Sequence, residues 1–255
     1  MSTTAPERKD FAANKRLREI MGAYFAQLGR GPAEGKKTAW CTSVGPAELL
    51  WAMGFNVFFP ENHAAMIGAA RMAAEVIPLA NAKGFSPDVC SYLTSDVGAY
   101  LKGASPLQKM GLSGPPKPDV LVFNTNQCRD VKDWFQFYAR EWNVPCVGIH
   151  TPRAIGAVDR ALVQFVAHET AELVEPLEAV AGTKFDIDRL REVVRISHCT
   201  TARWKAVLDM GAHVPAPLTF FDGTIQMAPA VVMRGLPEAA DYYDLLLAEL
   251  DQRVR

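Results

Sequence analysis

Five cysteines, Cys41, Cys90, Cys128, Cys146 and Cys199, are the residues of this chain best suited to uncommon chemistry. Their number is odd and no two form a CxxC pair, so neither a disulfide framework nor a paired zinc knuckle is expected. A reduced thiol is a small buried hydrophobe, a redox group or a metal ligand. Three of the five stand where ligands usually gather. Cys41 closes the apolar run of KTAWC. Cys90 opens the helix-like SYLTSDVGAYL, and Cys128 follows VLVFNTNQ just past a buried strand. Three thiolates at one sheet edge suit a metal, and iron–sulfur clusters are held by cysteine thiolates, normally four. Spacing alone leaves both readings open, because no short motif links the three.

The elements that must position these residues follow from periodicity. Asp10 to Gln27 reads as an amphipathic helix with Leu17, Ile20, Met21 and Tyr24 on one stripe. KTAWCTS reads as a short strand and GPAELLWAMG as a helix, with Gly45 suited to the N-cap, Pro46 to the first turn and Gly54 to the stop. FNVFFP is a second strand. His63 to Lys83 is helical, with a kink expected at Pro78 and an end at Gly84. DVCSYLTSDVGAYLKG reads as a strand entering a helix. DVLVFN is a strand, RDVKDWFQFYAREW a helix with Val131, Trp134, Phe135 and Tyr138 on one face, and VPCVGIH another strand. From Gly156 to Met210 the pattern is helical and broken near Gly182. PAPLTFFDGTIQMAP reads as irregular, and a final helix runs from Pro237 to Arg255.

Strands alternating with helices over Thr38 to His150 imply a parallel sheet, hence an α/β fold with a Rossmann-like domain and a helical second half. The expected division is an N-terminal helical arm at 1–30, a Rossmann-like domain at 31–150 and a mainly helical region at 151–255. In such sheets ligands bind outside the carboxyl ends of the strands, where helix N-termini also supply amide donors.

Composition bounds the rest. The chain has 255 residues, a formal charge of −1, 49% apolar and 22% charged residues, which is ordinary globular usage. There is no basic excess for nucleic acid, no apolar run long enough to cross a bilayer and no signal-like N-terminus, so a cytoplasmic location is expected. GxGxxG, Walker A, GxSxG and HExxH patterns are absent, which disfavours nucleotide or serine hydrolysis by this chain.

WCTSVGPAELLWAMGFNVFFPENH, DVCSYLTSDVGAYLKG and PDVLVFNTNQCRDVKDWF resemble the 2-hydroxyacyl-CoA dehydratase and benzoyl-CoA reductase family. The pattern is a cysteine ahead of a PxEL helix, a second ahead of a glycine-containing helix, and a third after a D-x-(V/L)-(V/I) strand. ISHCTTARWKAVLDM continues the likeness weakly. The resemblance implies that Cys41, Cys90 and Cys128 ligate a [4Fe–4S] cluster with one non-cysteine position near an acyl-CoA thioester. It implies an ATP-dependent activator protein as electron donor and a related second subunit. FPENHAAMIGAA and NTNQCRDVKDWF are similar to the reductase branch, with the dehydratase branch as the alternative. The family's further α/β domain is expected to be missing from this chain.

Further candidates are weighed on the residues themselves. Ser43 and Thr42, beside Cys41, could hydrogen-bond the open cluster position or cap a helix. His63 and His150 end strands at the same edge and could contact substrate or move a proton, or be solvated loop histidines. Arg129 could steer an anionic thioester, although a surface position is the plainer reading. Trp40, Trp134 and Cys146 read as core, and Cys199 as core or half-buried. Two rival functions remain: a cluster-free pairing subunit, and a cysteine-ligated zinc hydrolase that no Glu–His arrangement supports.

Overall fold

A computed structural model describes residues 10–152 and 156–254; residues 1–9 of the expected arm and Arg255 lie outside the described residues. Four strands form one parallel sheet: β1 (Thr38–Cys41), β2 (Asn56–Phe58), β3 (Val120–Asn124) and β4 (Cys146–Ile149). Their order is β2-β1-β3-β4. In register, Cys41 of β1 faces Val122 of β3, and Leu121 faces Cys146. β-Branched and aromatic residues favour this pleated, buried setting. Val120, Leu121 and Val122 are all but fully buried, each stabilising the sheet by about 1.5–3 kcal/mol.

The helices are α1 (Ala13–Arg30), α2 (Ala47–Ala52), α3 (Pro60–Ala69), α4 (Ala73–Ala82), α5 (Ser91–Lys102), α6 (Arg129–Trp142), α7 (Arg160–Glu172), α8 (Val174–Ala181), α9 (Ile187–Asp209), α10 (Phe220–Gln226), α11 (Ala228–Val232) and α12 (Pro237–Val254). A 3₁₀ turn covers Pro106–Met110. Two compact units emerge, Tyr24–Arg195 and the residues up to Ala23 together with Ile196–Arg255. The first holds the sheet. The second is built on α12, whose Tyr242, Tyr243, Leu246 and Leu250 are buried, while Glu249 accepts the Ala12 and Ala13 N–H groups at 2.9 Å each.

Helices α4, α5 and α6 set the geometry that follows. α5 lies so close to α4 that a Cβ on Gly98 would fall 2.0 Å from the Val76 carbonyl oxygen, so only glycine fits there. On α6, Tyr138 stacks on Trp142 with centroids 4.7 Å apart, and Trp40 meets both edge-on at 4.9 Å.

Several expectations are corrected. The helix expected over His63 to Lys83 is two helices. The break falls at Arg71, whose φ is +57°, and not at Pro78, which sits inside α4. A left-handed residue ends a helix outright, whereas Pro78 removes only one backbone donor. No strand leads directly into α5: Ser86 accepts the Asp88 and Val89 N–H groups in a turn, and Cys90 is the N-cap. Pro46, not Gly45, caps α2. The segment read as irregular contains α10 and the start of α11; Thr219 and Asp222 form a capping box for α10 whose signal the surrounding Pro and Gly residues obscured.

Candidate functional site

The strand order changes direction between β1 and β3, and Cys41 and Cys128 flank that switch point. Cys41, at the end of β1, is buried. Cys90 is the half-buried N-cap of α5, and Cys128 the exposed N-cap of α6. None of the five cysteines is in a disulfide. Both N-caps leave helical amides facing outward, which favours negative charge such as thiolate.

Cys90 and Cys128 line one cavity of about 320 Å³, together with Glu61, Tyr92, Gln127 and Trp134. Three loops are laced at this edge. The Glu61 carboxylate, from the first turn of α3, accepts the Ser43 N–H and the Gln127 amide, the latter at 2.6 Å. Glu61 therefore joins the loop after Cys41 to the residue before Cys128. Asp130 in α6 accepts the Cys90 N–H at 3.0 Å, and the Asn124 amide donates to the Val44 carbonyl at 3.0 Å. Cys41 does not line that cavity. A Cβ on Gly45 would stand 2.7 Å from the Cys41 sulfur and 2.9 Å from Thr42 Oγ1, so the glycine leaves room for both. Thr42 Oγ1 is buried without a hydrogen-bond partner. An orphaned hydroxyl beside a thiol is an unused donor, which suits an anionic sulfur ligand.

Among the described residues, no group of three or more His, Cys, Asp and Glu could hold a single metal ion. A cluster asks for something different, because each thiolate binds a separate iron and the sulfurs need not converge on one centre. The donor set, the shared cavity of Cys90 and Cys128 and the space kept at Gly45 fit such a group.

His63 is placed elsewhere. It lies in α3, only 2% exposed, and lines a different cavity from Cys90 and Cys128. Its Nδ1 donates to Asp96 Oδ1 at 2.5 Å, with the tautomer assigned from the network, and its Nε2 meets Ser105 Oγ at 2.8 Å. Asp96 Oδ2 accepts Trp134 Nε1 at 3.0 Å and Tyr138 O–H at 2.6 Å. Burial, and then the Asp96 carboxylate, hold the Tyr138 phenol well above its usual value. The backbone of His150 donates to Glu169. Arg129 is exposed and 3.7 Å from Asp133, a surface arginine. Trp40 and Trp134 are core, as their surroundings implied. Cys146, expected in the core, is half-buried at the start of β4; burial pushes its thiol up to about 11, only partly offset by Lys132. Cys199 is half-buried in α9.

Sequence reasoning missed Glu61, Asp130, Asp96 and Ser105. Asp96 carried a signal: a lone acid amid the apolar residues Leu93, Val97 and Tyr100 of one helix asks for buried donors.

Residues 42–255 match the family model of the 2-hydroxyglutaryl-CoA dehydratase D-component. The chain belongs to that family. It is 29% identical to the (R)-phenyllactyl-CoA dehydratase alpha subunit of Clostridium sporogenes, over 100% of this chain and 62% of that protein. It is 30% identical to the (R)-2-hydroxyisocaproyl-CoA dehydratase alpha subunit of Clostridioides difficile, over 94% and 58%. It is 29% identical to a subunit of the benzoyl-CoA reductase of Thauera aromatica, over 99% and 59%. This member of the D-component family thus spans roughly three-fifths of the length of the curated relatives it matches. No helix among its described residues is long and apolar enough to cross a membrane.

Proposed function

We propose that this chain is the cluster-bearing part of an ATP-activated acyl-CoA enzyme, with Cys41, Cys90 and Cys128 holding a [4Fe–4S] cluster that keeps one non-cysteine position. The observation that carries the reading is the cavity shared by Cys90 and Cys128 at the switch point, laced through Glu61 to the loop after Cys41. When bound, the cluster supplies one-electron transfer to the acyl-CoA. The protein's own residues do the rest. Cys90 and Cys128 present sulfur at two helix N-termini, whose amide dipoles offset thiolate charge. Glu61 and Asp130 keep the cysteine-bearing loops in register. Ser43, two residues after Cys41, would offer its hydroxyl to the open position, and Thr42 offers its buried hydroxyl to sulfur. His63 does not line the thiol pocket; it acts as a positioning residue, orienting Asp96, which holds the Trp134 wall.

The partners in this reading are an acyl-CoA substrate, a related second subunit and an ATP-dependent activator, in the cytoplasm. The finer assignment is benzoyl-CoA reductase-like ring reduction, carried by FPENHAAMIGAA and NTNQCRDVKDWF. Loss of water from a 2-hydroxyacyl-CoA is the second reading, favoured by the dehydratase relatives. Anaerobic reconstitution with iron and sulfide is expected to give a brown protein with about four irons per chain. Replacing Cys41, Cys90 or Cys128 by Ser lowers that content; unchanged iron in all three would refute the ligand set. Supplying activator and partner with benzoyl-CoA or a 2-hydroxyacyl-CoA then separates the two reactions.

A further inference from the structure

A second cavity of about 330 Å³ stands apart from the thiol pocket and shares no lining residue with it. Its walls include Trp40, Tyr100, Tyr138 and Trp142, and His63, Asp96 and Ser105 also line it. Ser105, His63 and Asp96 are bonded in the order of nucleophile, base and orienting acid. Two features argue against attack by the serine. Residue 106 is proline and has no N–H to stabilise an oxyanion, and the Leu107 N–H is already given to Ser105 Oγ at 3.1 Å. The arrangement is built to bind.

The direction of its hydrogen bonds says what it binds. With Nδ1–H given to Asp96, His63 Nε2 accepts the Ser105 hydroxyl hydrogen. Ser105 Oγ takes the Leu107 N–H on one lone pair and keeps the other. At Ser105 the cavity therefore presents an acceptor, and a ligand group placed there must bring a donor. Four of the lining side chains are flat aromatic rings, set among small residues such as Ala99, Gly103 and Ala104, and such walls favour a ring in return. The volume lies at the lower end for small-ligand sites, enough for one ring. Lys117, also lining the cavity, is exposed and adds a positive charge.

We propose that this cavity binds a small hydroxyaryl acid, its phenolic hydroxyl donating to Ser105 and its carboxylate directed to Lys117. The inference goes beyond the proposed reaction and does not rest on it. Titration of the intact protein with 4-hydroxybenzoate, followed by tryptophan fluorescence and calorimetry, tests it. Saturable binding is expected, with benzoate, which lacks the donor, at least tenfold weaker. Ala104→Leu, which fills the cavity wall, abolishes binding. Lys117→Gln, at an exposed site that folding does not depend on, weakens it several-fold. No saturable binding, equal affinity for benzoate, or full affinity in Lys117→Gln would overturn the proposal. So would binding that survives Ala104→Leu in a folded protein.

Discussion

Helices α5 and α6 carry two unlike regions along their lengths. At their N-termini stand Cys90 and Cys128, half-buried and exposed, around a cavity edged by Glu61 and Asp130. One to two turns on, Asp96 and Trp134 belong to a closed network in which His63, Trp134 and Tyr138 all donate to one buried carboxylate. The first region leaves thiols uncommitted to the fold. The second commits its polar groups to one another. Reactive groups kept at element ends over a satisfied polar interior can be changed without unfolding the scaffold.

The sharpest way to break this contrast is at Asp96. Asp96→Ala leaves three buried donors without an acceptor, each costing about 1–3 kcal/mol, so a loss of about 3–5 kcal/mol is expected in urea unfolding. A loss below about 1 kcal/mol would mean that the network does not hold α3, α5 and α6 together, and the two regions would then differ little.

Glu61 tests the other end with a smaller effect. It is half-buried and bonded to Ser43 and Gln127. Glu61→Ala should cost about 1–2 kcal/mol, as expected for two hydrogen bonds at a partly exposed site. Chemical-denaturation midpoints check the size. A cost matching that of Asp96→Ala would show that the thiol edge is as much a part of the core as the network beneath it.

What the sequence made legible follows the same division. The sheet was readable because VLVF and CVGI are apolar runs between turn residues, and α6 was readable to the residue because Val131, Trp134, Phe135 and Tyr138 repeat at helical spacing. Cys41, Cys90 and Cys128 stood out because strand ends can be inferred from such runs. The side-chain network was not readable. His63 is 33 residues from Asp96 in sequence and 42 from Ser105, and only the packing of α3 against α5 and the 3₁₀ turn brings them together. Periodicity places a residue on a face but does not choose its partner on another element. The same limit explains Pro78: local rules mark proline as a breaker, whereas the break came from the left-handed turn at Arg71.

The smallest expected effect is also the most discriminating. Cys128→Ser changes an exposed N-cap residue into one of the best N-caps, since a serine hydroxyl can accept an N–H from the first turn where the cysteine makes no cap bond. Stability should therefore stay within about 0.5 kcal/mol of the parent. Cys41→Ser is the internal control: its sulfur is fully buried against Gly45, and a hydroxyl there needs a partner, so a cost of about 1–2 kcal/mol is expected. Measured without iron, the pair separates fold from ligation. If Cys128→Ser is as destabilising as Cys41→Ser, Cys128 is a structural residue and the thiol edge loses its claim to be free for chemistry. If the two differ as expected while both lose iron on reconstitution, the loss cannot be ascribed to unfolding.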